Sequence, residues 1–284
     1  MKIGIVGAGR VGVTLGKYLA DAGVDVAGYY SKTTKSAVEA AEFTDTKVFE
    51  KLADIVQVSD TLFITTPDSV ISEVWGCIAA YPLTGKILCH FSGSLSSDIF
   101  SGIDKTGASG CSIHPMYAFS NRFTSYENFH TAYLVAEGAA SARKPLENLF
   151  RGLGHTVLEI RAADKVKYHA AAAMISNDMI ALFQTVLDLL EECGFKEEDS
   201  ICLLRPIIEN NVSTMLEQGA MEALTGPVER GDTETVKKHM EALQASPAGE
   251  VYRTLGKVLV DIAERKYPER HNTAMQALFS LGEK

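Results

Sequence analysis

The sequence has no Cys-x-x-Cys pair, and its cysteines are odd in number: Cys77, Cys89, Cys111, Cys193 and Cys202. That argues against a disulfide framework and against a structural zinc site, and for reduced, mostly buried thiols in a cytoplasmic protein. Basic charge is also in short supply. Lys and Arg number 27 against 36 Asp and Glu, a net charge of −9, which disfavours a nonspecific nucleic-acid surface. An anionic ligand would need its cations gathered locally. No uninterrupted apolar run approaches the roughly 18–20 residues that span a bilayer. The chain enters Ile3-Gly4-Ile5-Val6 directly, without the pattern of a signal peptide. Neither a membrane nor a nucleic acid is expected as a partner. Low-complexity segments and short-period repeats are missing too. What is present is ordinary globular usage, 46% hydrophobic and 22% charged over 284 residues, enough for about two domains.

Up to about residue 160, short β-like runs alternate with helical patterns. The runs are Ile3–Val6, Val24–Tyr30, Thr61–Thr65, Lys86–His90, Cys111–His114, Ala132–Ala136 and Thr156–Ile160. Helical periodicity covers Val11–Ala22, Thr34–Phe43, Val70–Ala80 and Ala142–Leu153. This alternation predicts an α/β domain over 1–161, a doubly wound, mostly parallel sheet covered on both faces. Residues 163–193 then contain neither Pro nor Gly and are rich in Ala, Leu and Met. They read as one helix of about 30 residues, roughly 45 Å long. Further helices are expected at 197–218, 232–244, 248–265 and 268–281, so residues 162–284 form an all-helical domain.

Gly7-Ala8-Gly9-Arg10-Val11-Gly12 fits G-x-G-x-x-G, and it follows a strand and opens a helix. The first glycine permits the tight turn, the second lets a pyrophosphate approach the backbone, and the third lets helix and strand pack closely. The helix N-terminus adds free N–H groups and partial positive charge. A glycine-rich turn without a ligand is the alternative. At the end of the second strand, Tyr29-Tyr30-Ser31-Lys32-Thr33-Thr34-Lys35 offers no carboxylate for a ribose 2′-hydroxyl. Ser31 and Lys32 suit a 2′-phosphate instead, which favours NADP(H) over NAD(H); a solvated polar loop is the alternative. Thr66-Pro67 follows the Thr61–Thr65 run, where Thr66 could cap a helix and Pro67 occupy its first position, or both could border a ligand.

His90-Phe91-Ser92-Gly93-Ser94 and Ile113-His114-Pro115-Met116 end the next two strands, on the same side of the sheet as the glycine loop. Each histidine is either a satisfied structural group or a catalyst. On the long helix, Lys165 and His169 are four residues apart and share a face. Ser176 continues that face, Asn177 lies near it, and Lys167 points roughly opposite. The alanines between them permit close approach of a ligand or of another helix. Late in the chain, Leu224-Thr225-Gly226-Pro227-Val228-Glu229-Arg230-Gly231-Asp232 is either an interhelical turn or a loop in which Arg230 grips a carboxylate. Asp232 can cap the next helix. His90, His114 and His169 have ligand residue types but no local metal spacing, so no metal is expected.

Taken together, these motifs resemble a family of two-domain Rossmann-like proteins whose helical C-terminal half is known only as a domain of unknown function. The family is related to pyrroline-5-carboxylate reductases, ketopantoate reductases and 3-hydroxyisobutyrate dehydrogenases. The resemblance spans almost the whole chain and rests on the Gly7–Gly12 loop, His90–Ser94, His114-Pro115, Lys165-x-x-Tyr168-His169, Ser176-Asn177 and Leu224–Asp232. It implies a C-terminal half like that of 6-phosphogluconate dehydrogenases and, for some members, ketopantoate reduction in pantothenate synthesis. Where the hydroxyacid dehydrogenases carry Lys-x-x-x-Asn, this chain has Lys165-x-x-x-His169.

The expectation is an NADPH-dependent reductase of a small anionic 2-oxo acid, ketopantoate foremost. An imine or other NADP-dependent reductase and a non-catalytic NADP sensor are the alternatives. Lys165 is the expected acid, with His169 orienting it or sharing the role. Asn177 and Ser92 would hold substrate or the cofactor's carboxamide, and His114, Ser176 and Arg230 would face the substrate. The extensive Ala- and Leu-rich stripes after residue 161 predict a homodimer through the helical domain.

Overall fold

Parallel pairing of short buried strands builds the first part of the chain. The computed structural model describes residues 1–244, 246–270 and 272–280. Its strands are β1 (Lys2–Val6), β2 (Asp25–Tyr30), β3 (Lys47–Val48), β4 (Thr61–Ile64), β5 (Ile87–His90), β6 (Ser109–Met116), β7 (Tyr133–Gly138) and β8 (Val157–Glu159). They form one sheet in the order β3-β2-β1-β4-β5-β6-β7-β8. Every pairing is parallel except the antiparallel β6–β7. The order reverses between β1 and β4, the place where open α/β sheets bind ligands at their carboxyl edge.

Alternation along the strands sorts side chains to two faces. Ile3, Ile5, Phe63, Cys89 and Cys111 pack with helices α1 (Arg10–Asp21), α2 (Thr34–Thr44) and α5 (Ala140–Gly152). Val6, Leu62, Ile64 and Leu88 pack with α3 (Leu52–Val58) and α4 (Asp68–Ile78) on the other. All seven expected strands are present. The two-residue β3 and the short α3 escape the sequence reading because neither is long enough to show a period. Only Cys89 and Cys111 are buried; Cys77, Cys193 and Cys202 are exposed, so the expectation of mostly buried thiols holds for two of the five.

The chain divides into compact units Met1–Ala173 and Met174–Lys284, later than the boundary expected at 161. The first turns of the long helix belong to the sheet unit because Lys165, in α6 (Lys165–Ala173), is buried there. The helical run Ala162–Glu192 is continuous but not uniformly α. A π turn at Met174–Asp178 separates α6 from α7 (Met179–Glu192). By length, and by a mean hydropathy of 1.4 over an 18-residue window, this run could cross a membrane. Reading uninterrupted apolar runs passed over it because Ser176, Asn177 and Asp178 break the apolar stretch.

The second unit adds α8 (Glu197–Gln218), α9 (Ala220–Ala223), α10 (Pro227–Arg230), α11 (Thr233–Leu243), α12 (Pro247–Lys266) and α13 (Thr273–Ser280). Asp232 caps α11 as expected: its carboxylate accepts from Thr235 N at 3.0 Å and from Thr235 Oγ1 at 2.7 Å. Among the described residues, the unit's hydrophobic cluster of buried side chains is Val228, Val236, Val260, Met275 and Phe279. Leu187 alone is buried in α7 and Ser200 alone in α8. Between these two helices lies a groove of about 520 Å³ lined by apolar side chains including Ile180, Phe183, Leu204 and Ile208.

Candidate active site

The glycine loop joins β1 to α1. Gly7 has φ +112°, and a Cβ there would lie 2.9 Å from the Thr66 nitrogen, so only glycine fits. A Cβ on Gly12 would overlap Gly7 O and lie 2.5 Å from Thr65 Oγ1. Gly9 differs: no atom lies within 4 Å of the place its Cβ would take. Packing therefore explains Gly7 and Gly12 but not Gly9, whose open side is what an approaching phosphate needs. Gly9 is the N-cap of α1 and has no side chain to cap it, and the first turn holds no acid. Ala8 is buried, Val11 half-buried and Arg10 exposed.

Two further groups sit along this edge. Ser31 is half-buried and Lys32 exposed, in the link from β2 to α2. Thr66 does not cap α4, whose N-cap is Pro67 without a side-chain bond. Pro67 thus stands one place before the first helical residue expected for it. The Thr66 hydroxyl is buried and unpartnered, an orphan beside the glycine loop that a ligand could satisfy. Open Gly9, an uncapped helix N-terminus and an orphan hydroxyl together fit a dinucleotide phosphate.

The segment after β5 is held from several sides. Ser92 N donates to His90 Nδ1 at 3.2 Å, so His90 Nε2 carries the proton and donates to Ser96 O at 3.2 Å. Both ring nitrogens are thus spent on the loop. Burial, and then the Lys165 charge, push His90 down to about 4, so it is neutral at pH 7. Ser92 Oγ donates to Asp68 Oδ2 at 2.6 Å and accepts from Leu95 N at 2.9 Å. The Ser92 hydroxyl is thus spent on Asp68 of α4 and on its own turn.

Lys165 is 1% exposed. Its Nζ donates to Ser92 O at 2.8 Å and to Ser112 Oγ, and lies 4.0 Å from Glu137 Oε1. Desolvation brings its pKa down to about 8, with Glu137 the largest influence holding it up. The ammonium expected to face a substrate carbonyl is bonded to the Ser92 carbonyl and the Ser112 hydroxyl. Lys167 is exposed, as the helical spacing predicts.

Two imidazoles pack against Gly93 of the segment after β5. A Cβ on Gly93 would overlap His169 Nδ1 and lie 2.8 Å from His114 Nε2. The rings of His114 and His169 stand edge to face, 5.6 Å between centroids. His114 Nδ1 shares a 2.8 Å hydrogen bond with the Tyr168 hydroxyl. Burial holds His114 near 4, helped by Lys165 and His169, and pushes Tyr168 up to about 12. Both are neutral at pH 7. His169 Nδ1 is buried without a partner.

The structure therefore gathers Ser92, His114, Lys165 and His169 in one unit. Ser176 and Asn177, in the π turn, and Arg230, ending α10, are exposed residues of the other. The sequence motifs include Gly93 and Tyr168 without assigning them roles, and they do not single out Asp68, Ser112 or Glu137. A carboxylate following the apolar Tyr133-Leu134-Val135-Ala136 run was the available sign for Glu137.

Residues 1–115 match the family described as the Rossmann-like domain, and residues 132–259 match the Domain of unknown function (DUF2520). The chain is thus a Rossmann-like domain followed by a DUF2520 domain. No curated protein matches its sequence. Among solved structures it is similar to a protein of Thermotoga maritima, with 24% identity and a TM-score of 0.74 over 93% of this chain and 99% of that one. The reductive aminase of Aspergillus terreus, in complex with NADPH and ethyl-5-oxohexanoate, has 16% identity and a TM-score of 0.66 over 97% of this chain and 98% of its own. The Plasmodium falciparum pyrroline carboxylate reductase with NADP bound has 14% identity and a TM-score of 0.60, covering 99% and 98%. At these identities the likeness establishes the fold.

Proposed function

We propose that the chain is an NADPH-dependent reductase of a small anionic 2-oxo acid, with reduction of 2-dehydropantoate (ketopantoate) to pantoate the leading candidate. The observation that carries this reading is the buried ammonium of Lys165 bonded to Ser92 O, with two imidazoles packed against the next residue, Gly93. The loops ending β1, β4, β5 and β6 leave the sheet at one edge because these strands are parallel. Gly7–Gly12 and Thr66 would hold the cofactor's phosphates there, and Ser31 and Lys32 its 2′-phosphate.

Bound NADPH would supply a hydride to the carbonyl carbon. The chain's own task is to stabilise the negative charge that develops on the carbonyl oxygen and to protonate it. In this proposal His169 in its imidazolium form delivers the proton and is left as neutral imidazole, and neutral His114 with Tyr168 supplies a second hydrogen-bonding group. Lys165, buried and bonded to Ser92 O, adds fixed positive charge and does not itself transfer the proton. Arg230, Ser176 and Asn177 remain substrate-side proposals from the second unit. We further propose that α7 and α8 cover their apolar faces by pairing with a second copy of the chain.

A C=N substrate is the second reading, favoured by the likeness to a reductive aminase and to pyrroline carboxylate reductases. NADPH oxidation measured against a panel of 2-oxo acids, cyclic imines and ketone–amine pairs separates the two. Turnover of ketopantoate above the imines supports the first reading; turnover of imines alone replaces it. Lys32→Asp should weaken NADPH and favour NADH, and equal preference before and after would remove Lys32 from the 2′-phosphate site.

A further inference from the structure

The buried partner of Lys165 is a carboxylate that the proposed chemistry does not use. Glu137 lies on β7, the strand that runs antiparallel to its neighbour β6, and is 3% exposed. Its Oε1 accepts from Ser97 N at 2.7 Å and its Oε2 from Ser97 Oγ at 2.9 Å. The Lys165 ammonium stands 4.0 Å from Oε1. Glu137 thus fixes the far end of the Ser92–Ser97 segment directly. At the near end the same carboxylate faces the ammonium bonded to Ser92 O. The next residue, Gly93, is the one on which His114 and His169 pack.

We infer that Glu137 is a positioning residue: through Lys165 it fixes the Ser92–Gly93 peptide, and with it the two imidazoles that would face the substrate. The inference rests on the reductase reading for its catalytic consequence but not for its geometry. An ammonium this deeply buried is strongly destabilising unless a charge compensates it. The charged and titratable groups around Lys165 are Glu137 from β7, Asp68 from α4, Cys89 and His90 from β5, and Cys111 and His114 from β6. Glu137 is the largest of those that hold the proton on Lys165; Asp68 is exposed and committed to Ser92 and Ser94. Without Glu137 the lysine would lose its proton at lower pH, the pull on Ser92 O would weaken, and the Gly93 platform would loosen.

Glu137→Gln tests this, because glutamine keeps the shape and can still bond Ser97 while removing the charge. The first readout needs no turnover. Imidazole NMR signals of His114 and His169 should shift or broaden in Glu137→Gln and stay in place in Glu159→Gln, which removes an exposed carboxylate elsewhere on the sheet. The second readout is kinetic. Activity should fall as pH rises through about 8, where Lys165 loses its proton. In Glu137→Gln that alkaline limb should move down by about one pH unit or more. kcat should fall on the order of tenfold or more, with NADPH affinity unchanged. Glu137→Asp, which keeps the charge, should restore part of the limb. Lys165→Met strands the buried carboxylate and should lower Tm. Lys165→Met with Glu137→Gln should recover Tm but not kcat. Unmoved imidazole signals in a folded Glu137→Gln would overturn the inference, whatever the turnover. So would independent, multiplying effects of the two substitutions on kcat. If the wild type reduces none of the panel substrates, the reductase reading fails while the spectra still decide the role of Glu137.

Discussion

His90 shows how a histidine in a motif can belong wholly to the architecture. It is fully buried, with Nδ1 accepting from Ser92 N and Nε2 donating to Ser96 O. Protonation would remove the acceptor and bury a charge beside Lys165. Its folded pKa of about 4 lies below the ordinary value of 6.5, so the unfolded chain binds more protons between those pH values. Its stabilisation is full above about pH 6.5 and is lost as pH falls through about 4. By linkage this amounts to about 2 kcal/mol lost by pH 5. Urea unfolding at pH 7.5 and pH 5 should therefore show a smaller pH difference in His90→Gln than in the wild type. An unchanged difference would assign the acid sensitivity elsewhere, His114 first, since it too is held near 4.

At the scale of elements, the start of α1 separates fold from binding. Gly9 faces open space, whereas a Cβ on Gly12 collides with Gly7 O. Gly9→Ala should leave Tm within about 1–2 °C, since an exposed change of this kind is worth a few tenths of a kcal/mol at most. It should weaken NADPH binding, because the added methyl stands where a phosphate would approach. Gly12→Ala should lower Tm itself, by overpacking worth roughly 1–3 kcal/mol. Calorimetry together with fluorescence titration of NADPH distinguishes the two. If Gly9→Ala bound NADPH like the wild type, the loop would lose its claim to the pyrophosphate. The π turn at Met174–Asp178 acts at the same scale. It accommodates one extra residue, so side chains beyond it are rotated by roughly 100° from where continuous α-helical spacing puts them. The spacing that aligned Ser176 with Lys165 and His169 stops being a guide at that turn.

For the whole molecule, the question is what covers α7 and α8. Their own unit builds its core from α10 to α13. It leaves Ile180 65%, Leu203 56% and Ile207 58% exposed. So much apolar surface is unusual on a monomer in water and marks an interaction surface. A membrane would have to accept Ser176, Asn177 and Asp178 within the run, which is costly in hydrocarbon. A second copy presents the same helices and requires nothing else. Sedimentation at micromolar concentration should give a dimer. Ile180→Glu with Ile208→Glu, in the groove between α7 and α8, should give a monomer that still binds NADPH through the first unit. A monomeric wild type would defeat the proposal.

Several things were settled by the sequence alone, each through local physics. The alternation of β-like runs and helical periods determined the doubly wound sheet. The spacing of Gly7, Gly9 and Gly12 after a strand located the turn, and the carboxylate-free Tyr29–Lys35 stretch set the character of the loop after β2. These signals are carried by neighbours within one or two turns of chain, so they survive without knowledge of the fold. Tertiary structure decided which way each polar group faces. Lys165 and His169 share a helix face by spacing, yet one is spent on the Ser92 carbonyl and the other packs on Gly93 with an unpartnered nitrogen. Ser92 and His90 looked available, but Ser92 is bonded to Asp68 and its own turn and His90 to its own loop. Glu137 carried almost no local sign, because what makes it matter is an ammonium 28 residues later in the chain that has no other buried carboxylate beside it among the described residues. Burial of a charge next to its counter-charge is a property of the assembled sheet, and no stretch of sequence shorter than that assembly contains it.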